Sequence, residues 1–84
     1  MSVRFPPPLL RNLQTFLVVV DEGSFSAAAR RLGITQPSVS EQIHALEEDL
    51  GVRLFHRLNR SIELTASARV LLPGLSDAFA GIHA

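Results

Sequence analysis

Two glycine stops and two hydroxyl-bearing cap positions divide the middle of this chain into short helices, and no other feature so narrows what it can fold into. Gly23 is followed by Ser24, and Gly33 by Ile34 and Thr35. A serine or threonine at a helix start accepts from the free N–H groups of the next turn. A glycine just past a helix end closes it. The intervening FSAAARRL is therefore a short helix, with Ala27-Ala28-Ala29 supplying helix propensity and little bulk. Thr35 opens a longer helix, roughly Gln36 to Leu50. Pro37 is tolerated because first-turn N–H groups have no intrahelical partner. Val39, Ile43, Leu46 and Leu50 form its apolar stripe, and Gly51 stops it. Two such helices joined by Gly33-Ile34-Thr35 make a helix–turn–helix over about residues 25–44.

The flanks complete the architecture. Leu10, Leu13, Phe16, Leu17 and Val20 recur at helical spacing and predict a first helix from about Leu9 to Glu22. The residues before it, 1–8, end in Pro6-Pro7-Pro8 and read as an extended arm. After Gly51, Leu54-Phe55 and Ile62-Glu63-Leu64 read as short strands around the polar turn Leu58-Asn59-Arg60-Ser61, a hairpin over about residues 53–64. Thr65 then caps a last helix running to the C-terminus, in which Leu71, Leu75, Ala78 and Ile82 repeat as a heptad-like seam flanked by Phe79. Pro73-Gly74 is expected to bend it. The predicted fold is mainly α: a winged helix–turn–helix over residues 9–64, with a three-helix core and a two-stranded wing, followed by a linker or dimerisation helix over 65–84. Because the wing ends the globular core, Leu71, Leu75, Ala78, Phe79 and Ile82 are expected to pair with a second copy of the chain.

Charge and chemistry exclude several functions. The 84 residues carry no cysteine, hence no disulfide framework and no thiolate metal site. His44 and His56 lack partners at metal-ligand spacing. Ser24 and Thr35 read as caps, since no His/Asp arrangement activates them as nucleophiles. No glycine-rich phosphate loop, paired-carboxylate site or cofactor motif is present, so neither an enzyme nor a cofactor is expected. No apolar run approaches the roughly 20 residues that span a bilayer, and the first ten residues do not read as a signal peptide. A cytoplasmic, nucleoid-associated location is expected. Net charge is zero, yet its distribution is uneven. All eight basic residues are arginine, with Arg30-Arg31 adjacent and Arg53, Arg57 and Arg60 clustered. The acids gather at Asp21-Glu22 and Glu47-Glu48-Asp49, and the second cluster is expected to point away from any phosphates.

The second helix of a helix–turn–helix places its N-terminal residues in the DNA major groove. Here the face opposite the apolar stripe carries Pro37, Glu41, His44 and Glu48, with Ser38 and Ser40 at its flanks. Gln36 can pair bidentately with adenine, Glu41 can accept from cytosine, and a serine can bond either edge. Pro37 and Ser38 can touch a thymine methyl. Arg57 and Arg60 bracket the wing tip and suit phosphate or minor-groove contact. Arg30, near the end of the second helix, can reach a phosphate.

These segments together resemble the N-terminal domain of LysR-type transcriptional regulators. The carrying residues are Phe16, GSFSAAARRL (Gly23 to Leu32), TQPSVSEQIHALEEDLG (Thr35 to Gly51), LFHR (Leu54 to Arg57) and Leu64-Thr65. The resemblance covers roughly Leu9 to the C-terminus. It implies a winged helix–turn–helix, a linker helix that pairs subunits into a homodimer or homotetramer, and a C-terminal domain, outside this sequence, that binds a small-molecule effector. It maps DNA contacts onto Gln36, Pro37, Ser38, Ser40, Glu41 and Arg60. With Arg30, Thr35 and Arg57 these make up the expected interface with double-stranded DNA, on an inverted-repeat operator. The family often has Arg or another polar residue where Glu41 stands, and usually Ala-Gly where Ser67-Ala68 stand. A rival reading is a winged-helix protein-interaction or dimerisation module. A non-positive face around Gln36, Arg57 and Arg60 favours that rival.

Overall fold

Pro7 opens the first helix, two residues earlier than the apolar spacing predicts. The computed structural model describes residues 7–58 and 61–83, with side chains over 8–56 and 62–77. In it α1 spans Pro7–Glu22. Pro7 and Pro8 are helical and not part of an extended arm, because the first turn asks for no amide donor and proline's fixed φ suits it. The rest of the expected arm, residues 1–6, lies outside the described residues.

The remaining order is α2 (Phe25–Leu32), α3 (Gln36–Leu50), β1 (Phe55–Leu58), β2 (Ser61–Leu64) and α4 (Ala66–His83). Each predicted cap forms. The Ser24 hydroxyl accepts from the Ala27 N–H at 3.0 Å and Thr35 from Ser38 N–H at 3.2 Å. Gly33 sits at φ 70°, in the left-handed region that a side chain disfavours, which lets Gly33 and Ile34 N–H groups bond back to the end of α2. Ile34 then turns onto the core.

That core joins every element of the helix–turn–helix. Leu13, Phe16 and Val19 of α1 meet Ala28 and Ala29 of α2 and Val39, Ile43 and Leu46 of α3. The paired alanines leave room for the three helices to approach one another. A part-buried cross-link reinforces the α1–α3 contact: the Thr15 hydroxyl donates to Gln42 Oε1 at 2.6 Å. Leu54 and Phe55 root the wing in the same core. The Phe55 ring lies 5.5 Å from Phe16 and 5.7 Å from Phe25, within the range where tilted aromatic pairs attract.

The wing is an antiparallel pair in which Phe55 faces Leu64 and Leu58 faces Ser61. Thr65 fastens its base. Its N–H donates to the Leu54 carbonyl at 3.0 Å, its hydroxyl donates to the Arg53 carbonyl, and the same oxygen accepts from Ala68 N–H at 3.1 Å as the cap of α4. Ala68 is fully buried, so the position carries only a small side chain.

The α4 helix is continuous through Pro73. It packs against α1 and β2, and this changes the reading of its seam. Leu72 and Leu75 lie partly buried against the domain's own core. The apolar residues that α4 leaves outward are Val70, 80% exposed, and Leu71, 36% exposed. Leu75, which the sequence assigns to the pairing seam, lies partly buried against the domain's own core. Ala78, Phe79 and Ile82 lie outside the residues whose side chains are described.

Candidate nucleic-acid interface

The first turn of α3 is prepared on three sides. Thr35 donates to Ser38 Oγ at 2.9 Å while accepting the Ser38 N–H, so its hydroxyl is committed to the cap. Ser38 is left with its own O–H free to donate outward, since its oxygen accepts from Thr35. No acidic residue occupies the first turn. The unpaired N–H groups and the helix dipole therefore present partial positive charge at this end. Gln36 and Pro37 are exposed, and Ser38 and Ser40 half-buried. Gln36 is held from α2: the Ser26 hydroxyl donates to its Oε1 at 3.0 Å.

An open depression continues from this turn along α3. Pro37, Ser40, Glu41, His44, Ala45 and Glu48 line it on one side and Arg53 on the other. The predicted residues Pro37, Ser40 and Glu41 are thus brought together on one face. His44 Nε2 lies 3.1 Å from Glu48 Oε1, one helical turn on. Glu48 therefore lies on the face where its spacing puts it, beside Pro37 and Glu41. Arg53 was not among the expected contacts. Its position two residues past the Gly51 stop brings its side chain back beside α3.

The two adjacent arginines of α2 have different fates. Arg31 pairs with Asp21 and, at 3.1 Å, with Glu22 at the end of α1. Those hydrogen bonds raise the guanidinium pKa further above its ordinary value. Arg30 is exposed and makes no hydrogen bond or ion pair among the described residues. Arg57 has its backbone in β1, but its side chain lies outside the described set. Arg60 lies outside the described residues altogether.

Glu47 differs from its acidic neighbours Glu48 and Asp49, which are exposed. It is 6% exposed, and its Oε2 accepts the Leu54 N–H at 2.8 Å. Its carbonyl accepts from both Gly51 and Val52. One residue thus ties the recognition helix to the start of the wing. The spacing carried a signal: Glu47 follows Ile43 by four and so falls on the apolar stripe. Glu47→Ala is expected to lower stability by about 1–3 kcal/mol, because it strands a buried N–H. Thermal melts of both proteins measure this, and Glu48→Ala, on the exposed face, should move the melt little.

Comparison with known proteins bears on this geometry. The sequence pattern of the family described as bacterial regulatory helix-turn-helix protein, lysR family, matches residues 10–69. An uncharacterized HTH-type transcriptional regulator of the ibpB-leuC intergenic region of Azotobacter vinelandii is 53% identical over 64 residues, which cover 76% of this chain and 44% of that protein. The HTH-type transcriptional regulator ClcR of Pseudomonas putida is also 53% identical, over 62 residues covering 74% of this chain and 21% of ClcR. The chain thus matches less than half the length of these relatives. Among solved structures, the BenM DNA-binding domain in complex with catB site 1 DNA superposes with a TM-score of 0.82 at 36% identity, over 88% of this chain and 80% of that one. The CbnR DNA-binding domain in its DNA complex does so with 0.80 at 40% identity, over 87% and 84%.

Proposed function

The chain belongs to the lysR family of bacterial regulatory helix-turn-helix proteins, and on that footing we propose that it is the double-stranded-DNA-binding part of a transcription regulator. The carrying observation is the first turn of α3, where a capped, acid-free helix end presents Gln36, Pro37 and Ser38 outward. This turn enters the major groove. Gln36, Ser38, Ser40 and Glu41 address base edges, and Pro37 offers apolar contact. Thr35 sets the geometry of the turn through its cap. Arg30 and Arg53 take phosphates, as do the wing residues Arg57 and Arg60.

The two similar DNA-binding domains solved as DNA complexes support this reading. Two copies paired through α4 would carry two recognition helices to an inverted repeat. Residues 9–64 are the reading unit and 65–84 the linker helix, with effector sensing in a domain beyond this sequence. The role is regulatory and not enzymatic, and places the protein at the nucleoid. No described helix is long and apolar enough to cross a membrane.

A mobility-shift titration of the folded domain on promoter duplexes, repeated as salt rises, tests the proposal. Binding that weakens steeply with salt is expected, because arginine–phosphate contacts release counterions. Gln36→Ala is expected to erase about 1–3 kcal/mol of discrimination between the preferred and a substituted base pair, with little change in non-specific affinity. Equal losses on every sequence would remove Gln36 from the reading set.

A further inference from the structure

We infer that Ser26 is a specificity-positioning residue, which acts by orienting the Gln36 amide before DNA arrives. This rests on the reading of α3 as the groove-entering helix. Ser26 is exposed, near the start of α2, and its hydroxyl donates to Gln36 Oε1 across the helix–turn–helix at 3.0 Å. It is not a cap: Ser24 holds that place on α2 and Thr35 on α3. No other side-chain hydrogen bond joins α2 to the first turn of α3 among the described residues.

The bond has two consequences for Gln36. A free glutamine on a helix surface samples many rotamers and loses that freedom when it meets a base. With its oxygen anchored, part of that ordering is complete beforehand, so the bound geometry is reached at lower entropic cost. With the oxygen held by Ser26, the amide's two N–H groups stay available to donate. Gln36 is then foremost a donor, suited to base-edge acceptors: the N7 of a purine, the O6 of guanine or the O4 of thymine. Unanchored, the amide can present either end, and discrimination between acceptor-bearing and donor-bearing edges falls. The contact is worth little in water, but inside a groove it is screened from solvent and strengthened.

Ser26 is exposed and alanine is the stronger helix former, so Ser26→Ala should fold at least as well as the parent. Binding of the parent, Ser26→Ala, Ser26→Thr, Gln36→Ala and the double variant is measured by fluorescence anisotropy. The duplexes are the preferred operator and a set substituted at the base pair under Gln36. Ser26→Ala is expected to reduce discrimination at that base pair by about three- to tenfold and to leave non-specific affinity and the thermal melt unchanged. Ser26→Thr should restore it. In the Gln36→Ala background, Ser26→Ala should add nothing. The inference is overturned if Ser26→Ala lowers affinity equally on all sequences, or retains its full effect without Gln36. Either result makes Ser26 a phosphate contact in its own right. Absence of any sequence preference in the parent domain instead overturns the reading of α3 itself.

Discussion

Replacing Phe16 with alanine is expected to cost about 3–5 kcal/mol of folding stability, the largest single effect foreseen for this domain. Phe16 is completely buried and stands where the three elements that build the interface meet. It packs with α2 and α3 residues in the core and lies 5.5 Å from Phe55 of the wing. The cavity left behind cannot close easily, because its walls are three helices and a strand already fixed to one another by caps and turns. A domain of this size has roughly 5–15 kcal/mol in total, and each kcal/mol moves the melting temperature by about 4–8 °C. The variant should therefore melt at least 12 °C or so lower, as followed by circular dichroism. Phe25→Ala is the internal comparison, because Phe25 is only half-buried and touches Phe55 from the rim. Equal losses in the two variants would contradict the placement of Phe16 at the centre of the core.

Substituting glutamine at both Val70 and Leu71 should do the opposite: leave the domain folded and weaken its grip on DNA. These two side chains are the exposed large apolar residues of α4 among those described, and neither belongs to the core cluster. If α4 pairs two subunits, a single copy loses the gain that comes from binding two half-sites together, commonly a hundredfold or more. An inverted-repeat duplex should then be bound about a hundredfold more weakly, while a single half-site is bound as before. Sedimentation should show the monomer. A parent-like dimer, or equal weakening on the half-site, would place the subunit contact elsewhere. Leu75 is unsuitable for this experiment, because its partial burial against its own core would mix stability with association.

Legibility of the chain followed the range of the interactions involved. The caps at Ser24, Thr35 and Thr65 and the turn at Gly33 are decided within four residues, and each formed as the sequence predicts. The apolar stripe of α3 was equally plain, since Val39, Ile43 and Leu46 bury together. The departures came where one residue type serves two contexts. Glu47-Glu48-Asp49 read as one cluster pointing away from phosphates, yet Glu47 turns inward because the chain reversal after α3 leaves the Leu54 N–H in need of an acceptor. Prolines read as an extended arm, yet Pro7 and Pro8 sit in the one helical turn that tolerates them. A heptad-like repeat does not say whose surface it meets, and Leu75 meets its own domain. The candidate site was legible as a face, because period and capping put Gln36, Pro37, Ser40 and Glu41 on one side of α3. Its support was not: Ser26 and Arg53 reach that face by tertiary folding, and no local spacing links either of them to Gln36 or Glu41.

Zero net charge makes the source of affinity specific. Arg31 is neutralised by Asp21 and Glu22, and Glu41 and Glu48 stand on the face of α3 itself. On the proposed function, attraction to DNA comes from a few placed arginines and the helix end, not from the protein's overall field. Selection from a random-sequence duplex pool, with the folded domain as bait at low salt, tests this most directly. Enrichment of an inverted repeat whose half-sites carry a base-edge acceptor where Gln36 enters is expected, with loss of that enrichment in Gln36→Ala. Recovery of an unenriched pool by folded, dimeric protein would contradict that expectation.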